Sequence, residues 1–178
     1  MVGSTGSGKT TTLYALIRYL LDQGKNIVSL EQPIEYSMPH IRQTSIAESD
    51  SIDFAAGIRS VLRQDPDVIL VGEIRDEETA RMAFRASVTG HLVLTTVHAY
   101  DVHSTMTRLQ DLGLSPLTLQ EQLQGIAIQE LHKTECPYCQ DQNRESAFCF
   151  FCDGTSVGTR TLQGIFYDKS SIMTHLKV

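Results

Sequence analysis

Eight residues near the start of the chain, Gly3-Ser4-Thr5-Gly6-Ser7-Gly8-Lys9-Thr10, follow the pattern G-x-x-x-x-G-K-[ST]. Glycines in this arrangement let the backbone curl until successive N–H groups point inward at phosphate oxygens. A helix beginning directly after the loop adds its positive end. Lys9 is then placed to reach the β- and γ-phosphates, and the Thr10 hydroxyl to take a position on Mg²⁺. The plainer reading is a Gly/Ser-rich turn that caps a helix, but a chance match in a chain of this length is about 1 in 200. A helical pattern also starts at the right residue, so the segment points to nucleotide binding.

A phosphate loop that does chemistry needs a carboxylate at the end of a nearby strand, to hold Mg²⁺ through water or to orient an attacking water. Asp67-Val68-Ile69-Leu70-Val71-Gly72-Glu73 offers an apolar strand that ends in Glu73. Glu31 and Glu35, around Gln32-Pro33-Ile34, form a second acidic set at the end of another strand. Ligands of parallel sheets sit outside the carboxyl ends of the strands, so both sets qualify, and chemistry alone does not rank them. His91 and His98 bracket the run Leu92 to Val97. A strand-end histidine is as readily a structural residue as a catalytic one.

All four cysteines fall in two pairs, Cys136-Pro137-Tyr138-Cys139 and Cys149-Phe150-Phe151-Cys152, spaced C-x2-C-x9-C-x2-C. Four thiolates at this spacing can close a tetrahedral Zn²⁺ site with no open position for chemistry, so zinc here is structural. Met1-Val2 leads straight into glycines and hydroxyls rather than an apolar leader, which favours a metal site over disulfides. Unligated or redox-active pairs are the alternative. Haem attachment is excluded, because no histidine follows either pair as C-x-x-C-H.

These groups need elements to position them. From Thr10 to Gln23 the residues Leu13, Leu16, Ile17, Leu20 and Leu21 recur at helical spacing, with Gly24 where a C′ glycine belongs. Asn26 to Leu30 reads as a strand, Ser37 to Ser51 as a polar loop, and Asp53 to Arg63 as a helix. Val68 to Val71 has the unbroken apolar character of a strand buried on both faces. Glu77 to Val88 is predicted helical, Leu92 to Val97 a strand, and Ser104 to Leu112 and Leu117 to Leu131 two further helices. Alternating strands and helices predict an α/β fold with a mostly parallel sheet covered on both faces. Only Met1 and Val2 precede the loop, so its carrying strand is expected to be truncated, with an upstream part missing. The composition changes after Lys133, which divides the chain into a core over 1–133, a zinc knuckle over 134–156 and a tail over 157–178.

A chain of 178 residues with 41% apolar content can bury one core and a small module. No apolar run approaches the ~20 residues of a membrane helix. The formal charge of −6 argues against a direct nucleic-acid footprint, which needs clustered Lys and Arg. It therefore weighs against a DNA translocase or helicase. A scaffold that binds nucleotide without hydrolysing it is disfavoured by the presence of Lys9, Thr10 and Glu73 together.

Four boxes in order resemble those of the secretion and pilus-assembly traffic ATPases, which drive type II secretion, type IV pili and competence pseudopili. Gly3 to Thr10 stands as Walker A, and Ser29-Leu30-Glu31-Gln32-Pro33-Ile34-Glu35-Tyr36 resembles the Asp box. Leu62-Arg63-Gln64-Asp65-Pro66-Asp67 through Gly72-Glu73-Ile74-Arg75-Asp76-Glu77-Glu78-Thr79-Ala80 resembles Walker B. Thr89-Gly90-His91 through Thr95-Thr96-Val97-His98 resembles the His box, and the likeness covers residues 1 to 130.

The resemblance implies a RecA-like P-loop NTPase using ATP and Mg²⁺. In it Glu73 is the catalytic carboxylate, Glu31 and Glu35 line the metal and water side, and His98 senses the γ-phosphate. It further implies a cytoplasmic homo-oligomer, a ring of six subunits acting at the membrane face on an inner-membrane platform protein. Upstream arginines would complete its nucleotide site. Two positions depart from the family pattern. Gln32 replaces the usual Asp, and Glu130 stands within what is usually Gln-Arg-Leu, reversing a charge available to a neighbouring subunit. The short cysteine spacer, and a loosened Gly-Arg-x-Gly-Ile-Tyr segment at Gly158-Thr159-Arg160 through Gly164-Ile165-Phe166, are more similar to competence-type ATPases of Gram-positive bacteria.

Overall fold

Val68 to Val71 is apolar on every residue because both faces of its sheet are covered. The computed structural model describes residues 1–46, 53–136, 139 and 157–176. In chain order the elements are α1 (Lys9–Asp22), β1 (Ile27–Glu31), β2 (Arg42–Ser45), α2 (Phe54–Val61), β3 (Val68–Val71), α3 (Glu77–Val88) and β4 (Leu92–Thr95). They continue with α4 (Val102–Asp111), α5 (Pro116–Gln122), β5 (Gly125–Glu135), β6 (Val157–Asp168) and α6 (Lys169–Leu176). The first four strands form a parallel sheet in the order β2-β1-β3-β4.

Side-chain alternation divides this sheet between two cores. Ile69 and Val71 of β3, with Val28 and Leu30 of β1, pack among helices α2 to α6. Val68 and Leu70, with Ile27, pack against Leu13, Tyr14 and Ile17 of α1. Ser29 and Glu31 therefore belong to the face that α1 covers. Each of four helices begins at a side-chain cap: Asp53 accepts from the Ala56 N–H, Asp76 from Thr79, Asp101 from Ser104 and Ser115 from Thr118. Such caps satisfy N–H groups that have no partner within the helix.

Met1 and Val2 extend the sheet beyond β4. Val2 forms parallel bridges to Val97 on one side and Ile128 on the other. The Val97 N–H donates to the Met1 carbonyl at 3.0 Å, and the Val2 N–H to the Ala127 carbonyl at 2.8 Å. β5 then pairs antiparallel with β6, so a two-stranded ribbon is fastened to the residues that lead into the phosphate loop.

Three details differ from the sequence expectations. The helix expected through Leu131 stops at Gln122, and Gly125 onward is strand. Ile126 and Ile128 alternate there with small or polar residues, and backbone pairing with both Val2 and β6 outweighs their helical spacing. The polar stretch after Ser37 contains strand β2, an edge strand without an apolar face, held to β1 through its backbone ladder. On α1, Tyr14 is buried while Leu16 is exposed. The tail segment carries β6 and α6, and α6 seats Ile172 within the larger core.

Close approach of α2 to β1 makes a direct test of this packing. A Cβ at Gly57 would lie 3.0 Å and 3.1 Å from the two Leu30 methyl carbons. Gly57→Val should overpack the contact and lower unfolding free energy by about 1–3 kcal/mol, read from the urea midpoint. A parental midpoint would mean that α2 stands further from the sheet.

Candidate functional site

Because β1, β3 and β4 are parallel, their carboxyl ends emerge at one edge, beside the start of α1. A cleft of about 730 Å³ opens there. Thr5, Gly6, Gly8, Lys9 and Thr10 are among its lining residues, together with Glu31, Glu35, Glu73 and His98. The structure thus brings together residues that the sequence spreads over nearly a hundred positions. His91 is not among them. It stands at the opposite end of β4, where its Nδ1 lies 3.0 Å from both the Ala86 carbonyl and the Thr89 hydroxyl, closing the end of α3.

The loop has the backbone that its glycines permit. Gly6 and Gly8 have φ of 79° and 85°, in the left-handed region where a side chain is strained. Gly8 is the N-cap of α1, which has no side-chain cap and no acidic residue in its first turn. The positive end of the helix is therefore neutralised by no side chain of its own first turn, as an anion site requires. Lys9 folds back over the loop, and its Nζ donates to the carbonyls of Gly3 and Ser4, each at 2.8 Å. Burial pushes the Lys9 ammonium below its usual range, and the facing Glu73 carboxylate partly offsets this.

The carboxylates occupy different environments. Glu73 follows β3 with its side chain 13% exposed. Its Oε1 pairs with an Arg75 guanidinium nitrogen at 2.6 Å, and its Oε2 lies 3.7 Å from His98 Nε2. The Thr96 hydroxyl donates to the Gly72 carbonyl at 2.7 Å, tying the ends of β3 and β4 together just before Glu73 and His98. Glu31 is 3% exposed. Its Oε1 accepts from Ser29 at 2.6 Å and Gln43 at 3.2 Å, and its Oε2 accepts from the Tyr14 hydroxyl. Burial, then the bond to Glu31, push the Tyr14 phenol above its usual range. Glu35 is exposed at the cleft rim.

Sequence reasoning missed Tyr14 and Gln43, which bond Glu31, and Gln129, which bonds the loop at Ser7. Tyr14 could have been found from its place on the buried face of α1. Gln129 and Gln43 carry no such signal, because each lies in a segment whose strand was not predicted. Arg160, on β6, also reaches the cleft. Of the four cysteines, Cys136 is buried at the end of β5, and the Cys139 N–H donates to its carbonyl at 3.0 Å. Cys149 and Cys152 lie outside the described residues, and no group of three metal-binding side chains occurs among those described.

Residues 1–174 match a family model described as "Type II/IV secretion system protein". The type II secretion system protein E of Pseudomonas aeruginosa is 48% identical over 144 residues, covering 81% of this chain and 29% of that protein. The Legionella pneumophila ATPase DotB superposes with a TM-score of 0.76 at 28% identity, over 99% of this chain and 47% of its own. The pilus retraction motor PilT, solved with bound ADP, gives 0.70 at 31% identity, over 98% and 50%. The chain thus spans under a third of the curated relative and about half of each solved chain.

The buried carboxylate at Glu31 yields a test that is independent of any ligand. Tyr14→Phe keeps the ring and removes one hydroxyl donor from an acceptor that has left water. It should destabilise the protein by about 1–3 kcal/mol, measured by chemical denaturation at neutral pH. An unchanged midpoint would show that water replaces the lost donor.

Proposed function

The chain belongs to the type II/IV secretion system protein family, and we propose that it is the ATP-hydrolysing core of a motor that drives protein secretion or the assembly of a pilus-like fibre. The observation that carries this reading is one cleft holding the phosphate loop, Lys9 and the Glu73 carboxylate together. PilT, which the chain resembles at 31% identity, was solved with ADP, and this supports nucleotide as the occupant.

The donor set also fits a hard divalent cation: the Thr10 hydroxyl and the carboxylates of Glu73 and Glu35 are oxygen ligands facing one space. Mg²⁺, when bound with ATP, would neutralise charge on the β- and γ-oxygens. The chain's own residues then divide the remaining work. The loop N–H groups and Lys9 hold the phosphates, with Lys9 leaving the Gly3 and Ser4 carbonyls to do so. Glu73 is the carboxylate that orients the attacking water, once Arg75 or the ligand frees its Oε1. His98 would sense the γ-phosphate, and its 3.7 Å separation from Glu73 supports that role. Glu31 is already occupied by Tyr14, Ser29 and Gln43, so it acts by positioning α1 and the end of β1 rather than on water. Glu35 faces the cation side.

Several further properties belong to the same reading. The motor would work as a homo-oligomeric ring of six subunits at the cytoplasmic face of the membrane, against an inner-membrane platform protein, without binding nucleic acid directly. No helix among the described residues is long and apolar enough to cross a membrane. The relatives support the reading at the level of the family, and the curated ones of Pseudomonas aeruginosa and Dickeya dadantii are secretion proteins rather than competence proteins. Cys136, Cys139, Cys149 and Cys152 would bind one structural Zn²⁺. The 3.0 Å backbone bond from the Cys139 N–H to the Cys136 carbonyl keeps the first pair close enough to share one ion. Metal analysis of protein purified under reducing conditions should find about one equivalent of zinc, and finding none would overturn this part.

Glu73→Gln keeps the size of the side chain and removes its charge. ATP binding should remain near parental while turnover falls by about a hundredfold or more. Lys9→Ala should instead weaken binding itself. Calorimetric titration and phosphate release separate the two effects, and parental turnover in Glu73→Gln would move the catalytic role to Glu35.

A further inference from the structure

We propose that Gln129 of β5 is a positioning residue that holds the phosphate loop in its anion-binding shape before any ligand arrives; this rests on the reading of the loop as a nucleotide site. Gln129 is 4% exposed, and a buried side-chain amide is costly unless both its ends are bonded. Both are. Its Nε2 donates to the Ser7 carbonyl at 2.5 Å, and its Oε1 accepts from the Thr12 hydroxyl at 2.8 Å. The orientation of the amide follows from chemistry, because a carbonyl can only accept and so must face the NH₂ group.

The two partners are not neighbours of convenience. Ser7 lies between Gly6 and Gly8 on the loop, and Thr12 is in the first turn of α1. One side chain therefore links the loop to the helix that it feeds. The backbone of Gln129 secures the other end of the loop, since its N–H donates to the Val2 carbonyl at 2.9 Å.

Two glycines of the loop serve this clearance. A Cβ at Gly3 would collide with the Gln129 carbonyl oxygen, and one at Gly8 would lie 2.9 Å from Gln129 Nε2. Nothing lies within 4 Å of a Cβ at Gly6. Gly6 is thus required by backbone conformation alone, whereas Gly3 and Gly8 are also required by the closeness of β5. A loop ordered in this way gives up less of its binding free energy to ordering when a phosphate arrives.

The test uses Gln129→Met, which keeps the length of the side chain and removes both bonds, and Thr12→Val, which removes one of them from a half-buried site. Two readouts are taken on each: calorimetric titration with Mg·ADP, and hydrogen exchange at Gly6 to Lys9 in nucleotide-free protein. Gln129→Met should weaken ADP binding about tenfold and speed exchange at the loop while β1 and β3 keep their protection. Thr12→Val should show a smaller effect of the same kind, and the double variant should be no weaker than Gln129→Met alone. Parental affinity with unchanged loop exchange overturns the proposal. So does faster exchange spread evenly over the sheet, which marks a merely structural role. If the parent itself fails to bind ADP, the nucleotide reading falls, and loop exchange still decides the role of Gln129. If Gln129→Met does not fold, Thr12→Val decides between the same outcomes by the same two measurements.

Discussion

A loop that offers bare backbone N–H groups to an anion cannot be stabilised by those groups until the anion is there. It has to be held by what surrounds it. In this chain the loop is a short bridge between two fastened ends. Met1 and Val2 are pinned between Val97 and Ile128, and the far end runs directly into α1, whose Leu13 and Ile17 are buried against β1 and β3. Two of the glycines that make the loop pliable also bring it close to β5, so pliability and fastening come from the same residues.

The carboxylates at the same sheet edge acquire different chemistry from their depth. Glu31 is deep, and a charge there is tolerable only because Tyr14, Ser29 and Gln43 replace the water it lost. An acceptor so fully engaged has little capacity for a reacting water. Glu73 keeps some exposure and faces three groups whose grip can change with a ligand: Arg75, His98 and Lys9. A residue that must exchange partners during a reaction belongs in the second kind of environment.

Much of this was legible in the sequence, for identifiable reasons. The loop, β3 with Glu73, and helices α1 and α3 are written in local rules of glycine spacing, apolar runs and helix periodicity, and these hold whatever surrounds them. The strands β2 and β5 are written in partners instead. Arg42 to Ser45 has no apolar alternation, and Gly125 to Leu131 carries a helical spacing that pairing with Val2 and β6 overrides. Gln43 and Gln129 lie on those two strands, so their roles could not be seen until the pairing was known. Likewise His91 and His98 look equivalent as brackets of one strand. Only the parallel direction of β4 puts His98 at the cleft and His91 at the far end, against α3.

α1 shows how these constraints meet. A helix whose first residue, on the proposed reading, delivers an ammonium to a phosphate has to be fixed in rotation and in position along its axis. Its apolar stripe fixes rotation only coarsely, because Leu13 and Ile17 could slide on a smooth sheet face. Polar contacts are directional, and here they grip α1 from two sides. Thr12 bonds Gln129 on the ribbon side, and Tyr14 bonds Glu31 at the end of β1. Those residues are two apart on the helix, about 200° around its axis, so the contacts oppose each other and leave no free rotation. Lys9 lies less than a turn before Thr12, and the remaining freedom in its position is that of its own side chain. On the proposed reading, this freedom would let it leave the Gly3 and Ser4 carbonyls for a phosphate.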